Sequence, residues 1–186
     1  MINLNPRSIY NKQKEFHTLV SELSIDLICI SESWERENLT LDELIQLEDY
    51  KVISNVHQRA GKGGGPAIIA NEKKYFVQNI TNTFINVPYG VEIVWAILTP
   101  KNISASSTIK KMAIASIYSK PSSRKKTLLL DHISETYHLL CSKYQSGLHF
   151  IMAGDTNHLK LEPILSVSPQ LKQVVSTPTH TQRSYS

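Results

Sequence analysis

The chain has 186 residues, 41% of them hydrophobic and 19% charged, with 7 Gly and 8 Pro. This composition excludes collagen-like, low-complexity and disordered classes, and the length suits one domain with a sizeable core. A formal net charge of +4 is compatible with a polyanionic partner without demonstrating one.

Phe16, Leu19, Val20 and Leu23 recur at helical spacing, which predicts an amphipathic first helix, with Ser8 or Asn11 as candidate caps. Residues 25–30 read as a short, mostly apolar strand of a buried sheet. A polar, acid-rich stretch runs to Asp49, with a short helix over 41–47. Strands over 50–56 and 66–70 form a hairpin around the glycine-rich run 61–65. Further strands are placed near 75–80, 91–99 and 111–118. A second amphipathic helix covers 124–144, its apolar face traced by Leu129, Ile133, Tyr137, Leu140, Cys141 and Tyr144, with Gly147 as the stop. Residues 148–153 are the next buried strand, and 171–175 a weaker one. No repeat or linker divides the chain, so the pattern is one mixed α/β domain over 1–186.

Cys29 and Cys141 lie in apolar segments, which argues against a disulfide scaffold and reads as two buried thiols in a reducing compartment. No apolar run reaches the length of a membrane helix, and the first residues carry no secretory apolar core. The chain is therefore read as intracellular, with no membrane partner.

Functional groups in α/β sheets gather at the carboxyl ends of strands. Glu32 comes just after the strand 25–30, and Asp155 just after the strand 148–153 and Gly154, with Asn157 two residues on. Such carboxylates suit a hard divalent cation that keeps water and phosphate ligands. Taken singly, each acid reads equally as a solubilising strand end or a helix cap. The glycine-rich run lacks P-loop spacing and is read as a hairpin tip, from which Arg59 and Lys62 could graze a nucleic-acid backbone. The basic runs at 110–111 and 124–126 read as solvated faces. His17, His132 and His138 show no ligand spacing and are placed at the surface or an edge. Trp34 and Trp95 are assigned to core or rim packing. No G-x-S-x-G elbow supports acyl transfer.

Read together, these segments carry a resemblance. Leu4-Asn5-Pro6-Arg7-Ser8-Ile9, continuing to Asn11-Lys12, resembles an N-x-R-S-I-x-N-K opening. Ile28-Cys29-Ile30-Ser31-Glu32-Ser33-Trp34 resembles I-x-I-T-E-T-W, with Ser31 and Ser33 in place of Thr. Residues 59–69 resemble R-x-G-G-G-V-A-I. Val91-Glu92-Ile93-Val94-Trp95 resembles V-E-x-L-W, and Ile117-Tyr118-Ser119-Lys120-Pro121 resembles I-Y-R-P-P. Residues 150–157, ending Gly154-Asp155-Thr156-Asn157, resemble x-I-x-x-G-D-F-N. All six, in order, resemble the endonuclease domain of LINE-type non-LTR retrotransposons, within the endonuclease/exonuclease/phosphatase superfamily.

The resemblance implies a two-sheet, DNase I-like α/β sandwich and Mg²⁺- or Mn²⁺-dependent nicking of DNA. It implies Asn5 and Glu32 at the metal site, with Glu32 the direct ligand. Asp155 would activate or orient water, Asn157 would help hold the phosphate, and Tyr118 would approach phosphate oxygens. Arg7, Arg59 and Lys62 would contact nucleic acid. A monomer with nuclear access, fused to a reverse transcriptase in the intact element, is the implied setting. The family continues past a P-T-R/H segment, matched at Pro178-Thr179-His180, to Leu-Asp and Ser-Asp-His motifs, whereas this sequence ends at Ser186. The resemblance thus implies a sandwich incomplete at its C-terminus, a clipped first strand and impaired catalysis. A non-catalytic nucleic-acid-binding remnant and a phosphatase acting on small phosphates are the competing expectations.

Overall fold

The computed structural model describes residues 1–36, 38–55, 64–104, 107–121, 125–145, 147–157, 159–168 and 170–175. Among the described residues, eight strands form two four-stranded sheets, one ordered β1-β2-β4-β3 and the other β5-β6-β7-β8. The first contains β1 (Ile2–Leu4), β2 (Leu27–Ile30), β3 (Tyr50–Ser54) and β4 (Ala67–Asn71). The second contains β5 (Tyr75–Asn79), β6 (Glu92–Pro100), β7 (Lys111–Tyr118) and β8 (Leu148–Asp155). Helices α1 (Gln13–Glu22) and α2 (Leu41–Ile45) accompany the first sheet, and α3 (Lys126–Tyr144) and α4 (Glu162–Val167) the second. This is the expected α/β sandwich.

Three apolar layers explain why central strands read as unbroken hydrophobic runs. Leu27 and Cys29 of β2 point between the sheets, against Val94, Ala96 and Leu98 of β6. Ile28 and Ile30 point the other way, onto Phe16 and Val20 of α1 and Leu41 and Ile45 of α2. Likewise Ile93, Trp95 and Ile97 of β6 face Leu129, Ile133 and Leu140 of α3. A strand covered on both faces gains apolar burial at every position, each large aliphatic contributing roughly 1.5–3 kcal/mol. The small Ala96, Ala113 and Ala115 are fully buried where sheet and neighbours approach closely.

Strand directions gather the chemistry at one end. β1 and β2 are parallel, so both finish there, and antiparallel β4 starts there. In the second sheet β7 and β8 run parallel and finish there, while antiparallel β6 begins there. The hydroxyl of the buried Ser116 on β7 donates to the Ile30 carbonyl on β2 at 2.8 Å, tying the sheets together beneath that end.

The first strand is three residues long, Ile2–Leu4, and pairs in parallel with β2. Several expectations need correction. Neither Ser8 nor Asn11 caps α1; Lys12 occupies that position without a side-chain bond, and Ser8 Oγ accepts from Tyr10 N instead. α2 is shorter than expected because Gln46 turns left-handed, and it starts at a Thr40–Glu43 capping box. Residues 171–175 form no strand, and α4 had no periodicity to announce it. His132 is buried rather than at an edge, where its Nε2 accepts from the indole of the buried Trp95 at 3.1 Å. Burial pushes His132 down to about 4, so it is neutral at pH 7. Cys29 is buried as expected, whereas Cys141 is half-exposed.

Candidate active site

Four candidate residues are delivered by strand ends. β1 runs into Asn5, β2 into Glu32, β7 ends on Tyr118 and β8 ends on Asp155. The Asn5 amide nitrogen donates to Glu32 Oε1 and to Asp155 Oδ2, each at 2.9 Å. One neutral group thus gathers two carboxylates from different sheets. Its own oxygen accepts from the Arg7 backbone N–H at 3.2 Å, which fixes the amide orientation with nitrogen toward the acids.

The remaining carboxylate oxygens are also held. Trp34 Nε1 donates to Glu32 Oε2 at 3.0 Å. The Asn157 N–H donates to Asp155 Oδ1 at 3.0 Å. The Asn157 side-chain amide donates to the Ser119 carbonyl at 2.7 Å, and Ser119 N–H donates to the Asp155 carbonyl at 2.8 Å. Asn157 therefore locks the turn after β8 onto the turn after β7. Tyr118 pairs with Glu92 on one side and Asp155 on the other. Burial first, then the negative charges of Glu32, Glu92 and Asp155, push its hydroxyl up to about 12. It stays protonated at neutral pH.

The backbone around the site is strained in a manner typical of functional positions. Arg7 (φ 49°), Ser8 (φ 88°), Trp34 (φ 56°) and Asn157 (φ 46°) all adopt left-handed conformations without being glycine. Gly154 (φ 143°) is obligatory, because a Cβ there would strike the Ile117 backbone. Arg7 is exposed beside Asn5. Arg59 and Lys62, the other expected nucleic-acid contacts, lie outside the described residues.

Among the described residues, no group of three or more His, Cys, Asp and Glu converges as a metal cage. The site instead offers two carboxylates whose donors among the described residues are neutral. That donor set fits a hard cation such as Mg²⁺ or Mn²⁺, which takes one or two carboxylates and keeps water or phosphate oxygens. The oxygen chemistry fits poorly with a thiolate-seeking metal.

Sequence reasoning missed three contributors. Trp34 is half out in solvent with its indole N–H on Glu32, where packing was expected. Glu92 accepts from Gly65 N–H at 3.0 Å and so anchors the turn entering β4. Ser116 joins the sheets through its bond to Ile30. The motif blocks contained the first two residues, and only their pairing with Glu32 and Gly65 was invisible.

No protein-family model and no curated relative matches the chain. Solved structures do. A 3′ phosphatase from Neisseria, bound to product DNA hairpin, aligns with TM-score 0.52 and 11% identity over 82% of this chain and 55% of its own. An AP endonuclease from Leishmania major aligns with TM-score 0.57 and 17% identity, over 82% and 53%. A 2′,3′-cyclic phosphatase, ANGEL2, aligns with TM-score 0.56 and 17% identity, over 84% and 46%. The chain spans about half the length of these proteins. Its structural neighbours are members of the endonuclease/exonuclease/phosphatase superfamily, and its own fold is their DNase I-like α/β sandwich.

Proposed function

We propose that the chain carries the acidic side of a divalent-metal-dependent phosphodiesterase site whose substrate is DNA. The observation that carries this reading is the convergence of Glu32 and Asp155 on Asn5 at the ends of two sheets. Glu32 would hold Mg²⁺ or Mn²⁺ within the Asn5-centred cluster. When bound, that cation supplies charge stabilisation to the phosphoryl oxygens. Asp155, clamped through both oxygens, orients a water and takes its proton as the water oxygen bonds to phosphorus. The P–O bond to the leaving oxygen breaks, and that oxygen takes a proton from solvent. Tyr118, protonated at neutral pH, donates to a phosphate oxygen. Asn157 holds the two turns in register and borders the phosphate.

Arg7, Arg59 and Lys62 are proposed to contact the nucleic-acid backbone, where cations position the strand without reading sequence. The motif order favours target-site nicking by a LINE-type element, with a reverse transcriptase as the associated activity. The neighbouring cyclic phosphatase favours a second reading, hydrolysis of a small phosphate ester.

The test is nicking of supercoiled plasmid in Mg²⁺, beside hydrolysis of a soluble phosphomonoester. Metal-dependent nicking that disappears in Glu32→Ala and Asp155→Ala supports the endonuclease. Phosphomonoester turnover without nicking favours the second reading. Salt-sensitive, Mg²⁺-independent binding with no hydrolysis of either substrate would leave only a binding module.

A further inference from the structure

Trp34 takes no part in the proposed hydrolysis, yet three observations converge on it. First, its indole N–H lies on Glu32 Oε2 at 3.0 Å, while Asn5 occupies Oε1 at 2.9 Å. Among the described residues each oxygen of this carboxylate has one neutral donor, so these contacts hold the carboxylate without neutralising the charge that a cation needs. Second, Trp34 is left-handed (φ 56°), an unfavourable state for a bulky side chain. The strain is held by two backbone bonds to one turn: Trp34 N–H to Gly64 O at 3.1 Å and Ser33 N–H to Gly65 O at 3.0 Å. Third, that turn is fixed from the other sheet, because Gly65 N–H donates to Glu92 Oε2 at 3.0 Å. A Cβ on Gly64 would meet the Glu92 carboxylate and the Tyr118 ring, and its positive φ (74°) strains any other residue there.

Core packing does not account for this arrangement, because Trp34 remains 41% exposed. A glutamate has three side-chain torsions to order before it can hold an ion, and ordering them in advance reduces the cost of binding. We infer that Trp34 is a positioning residue that presets the Glu32 carboxylate for a hard divalent cation, with Glu92 as its anchor through the Gly64–Gly65 turn. The inference rests on the metal-dependent phosphodiesterase reading and deepens it.

The experiment compares wild type with Trp34→Phe, Glu92→Ala and Glu92→Gln by Mn²⁺ calorimetry, plasmid nicking and thermal melting. Trp34→Phe keeps an aromatic ring and deletes the N–H. It should weaken Mn²⁺ about tenfold, the lower end for removing a partner of a metal ligand, while the melting midpoint and the rate at saturating Mn²⁺ hold. Glu92→Ala should weaken Mn²⁺ similarly, whereas Glu92→Gln keeps an acceptor for Gly65 N–H and should retain affinity. The chain has two tryptophans and Trp95 is buried, so an emission change on adding Mg²⁺ should vanish in Trp34→Phe. Wild-type binding and nicking, matched by Trp34→Phe, would overturn this inference alone. A wild type that neither binds Mn²⁺ nor nicks would overturn the metal-dependent reading, and this inference with it.

Discussion

Asn5 and Asp155 stand 150 positions apart in the chain and meet at 2.9 Å. Neither belongs to the other's sheet. β1 supplies one and β8 the other, and Glu32 from β2 shares the same amide nitrogen. The cluster is therefore a product of sheet-on-sheet packing, and its integrity depends on how the sandwich closes.

Asn5→Ala tests the bridge. Asn5 is exposed, so little packing is lost and the thermal midpoint should move by only a few degrees. The two carboxylates would lose their shared donor and repel one another. Mn²⁺ affinity measured by calorimetry should fall about 10–100-fold, as for other partners of metal ligands. Unchanged affinity would show that the acids converge without Asn5.

Gly154→Ala tests the delivery of Asp155. The backbone there has positive φ and a Cβ would run into Ile117. The β7–β8 pairing has to shift to admit it, at a cost of order 1–3 kcal/mol or more. We expect a lower melting midpoint together with loss of nicking, and a wild-type melt would contradict the steric account.

Tyr118→Phe tests the donor. The hydroxyl titrates only near 12, above its ordinary 10, because burial and the surrounding acids disfavour the phenolate. A pH–rate profile for wild type should show no tyrosine-linked loss through pH 10. Removing the hydroxyl should lower the rate about a hundredfold, the usual cost of one donor to developing charge. A rate within about twofold of wild type would exclude that role.

His132 makes the core acid-sensitive. It is neutral and buried, accepting from Trp95, and its proton affinity is pushed down to about 4 from an ordinary value of 6.5. The unfolded chain therefore binds this proton first. The stability contribution is fully present above pH 6.5 and is lost as pH falls towards and through 4. His132→Gln keeps an acceptor for Trp95 but cannot titrate, so its melting midpoint should vary less over that range. Equal slopes in wild type and variant would remove His132 as the cause.

Much of the fold was legible because burial leaves a periodic trace. Ile28 and Ile30 face helices while Leu27 and Cys29 face the opposite sheet, and such double burial writes a continuous apolar run. The stripe Leu129, Ile133, Tyr137 and Leu140 became the buried face of α3. The short strand β1 was unreadable, because three residues carry no period and their pairing partner lies 26 positions away. α4 was unreadable too, and His132 shows why polarity alone misleads: Trp95 needed an acceptor, and only the packing of α3 on β6 shows that histidine supplies it.

By itself the sequence determined the strands and helices that border the site, β1 apart, and it marked Glu32, Asp155 and Asn157 as acids and amide at strand ends. Those properties are local, set by periodicity and by the polar residues that close an apolar run. Only the tertiary structure decided that Asn5 points its nitrogen at both carboxylates, that Trp34 holds Glu32, and that Glu92 anchors the turn behind them. Those contacts join residues from different strands, and their geometry exists only once two independently patterned sheets have packed face to face.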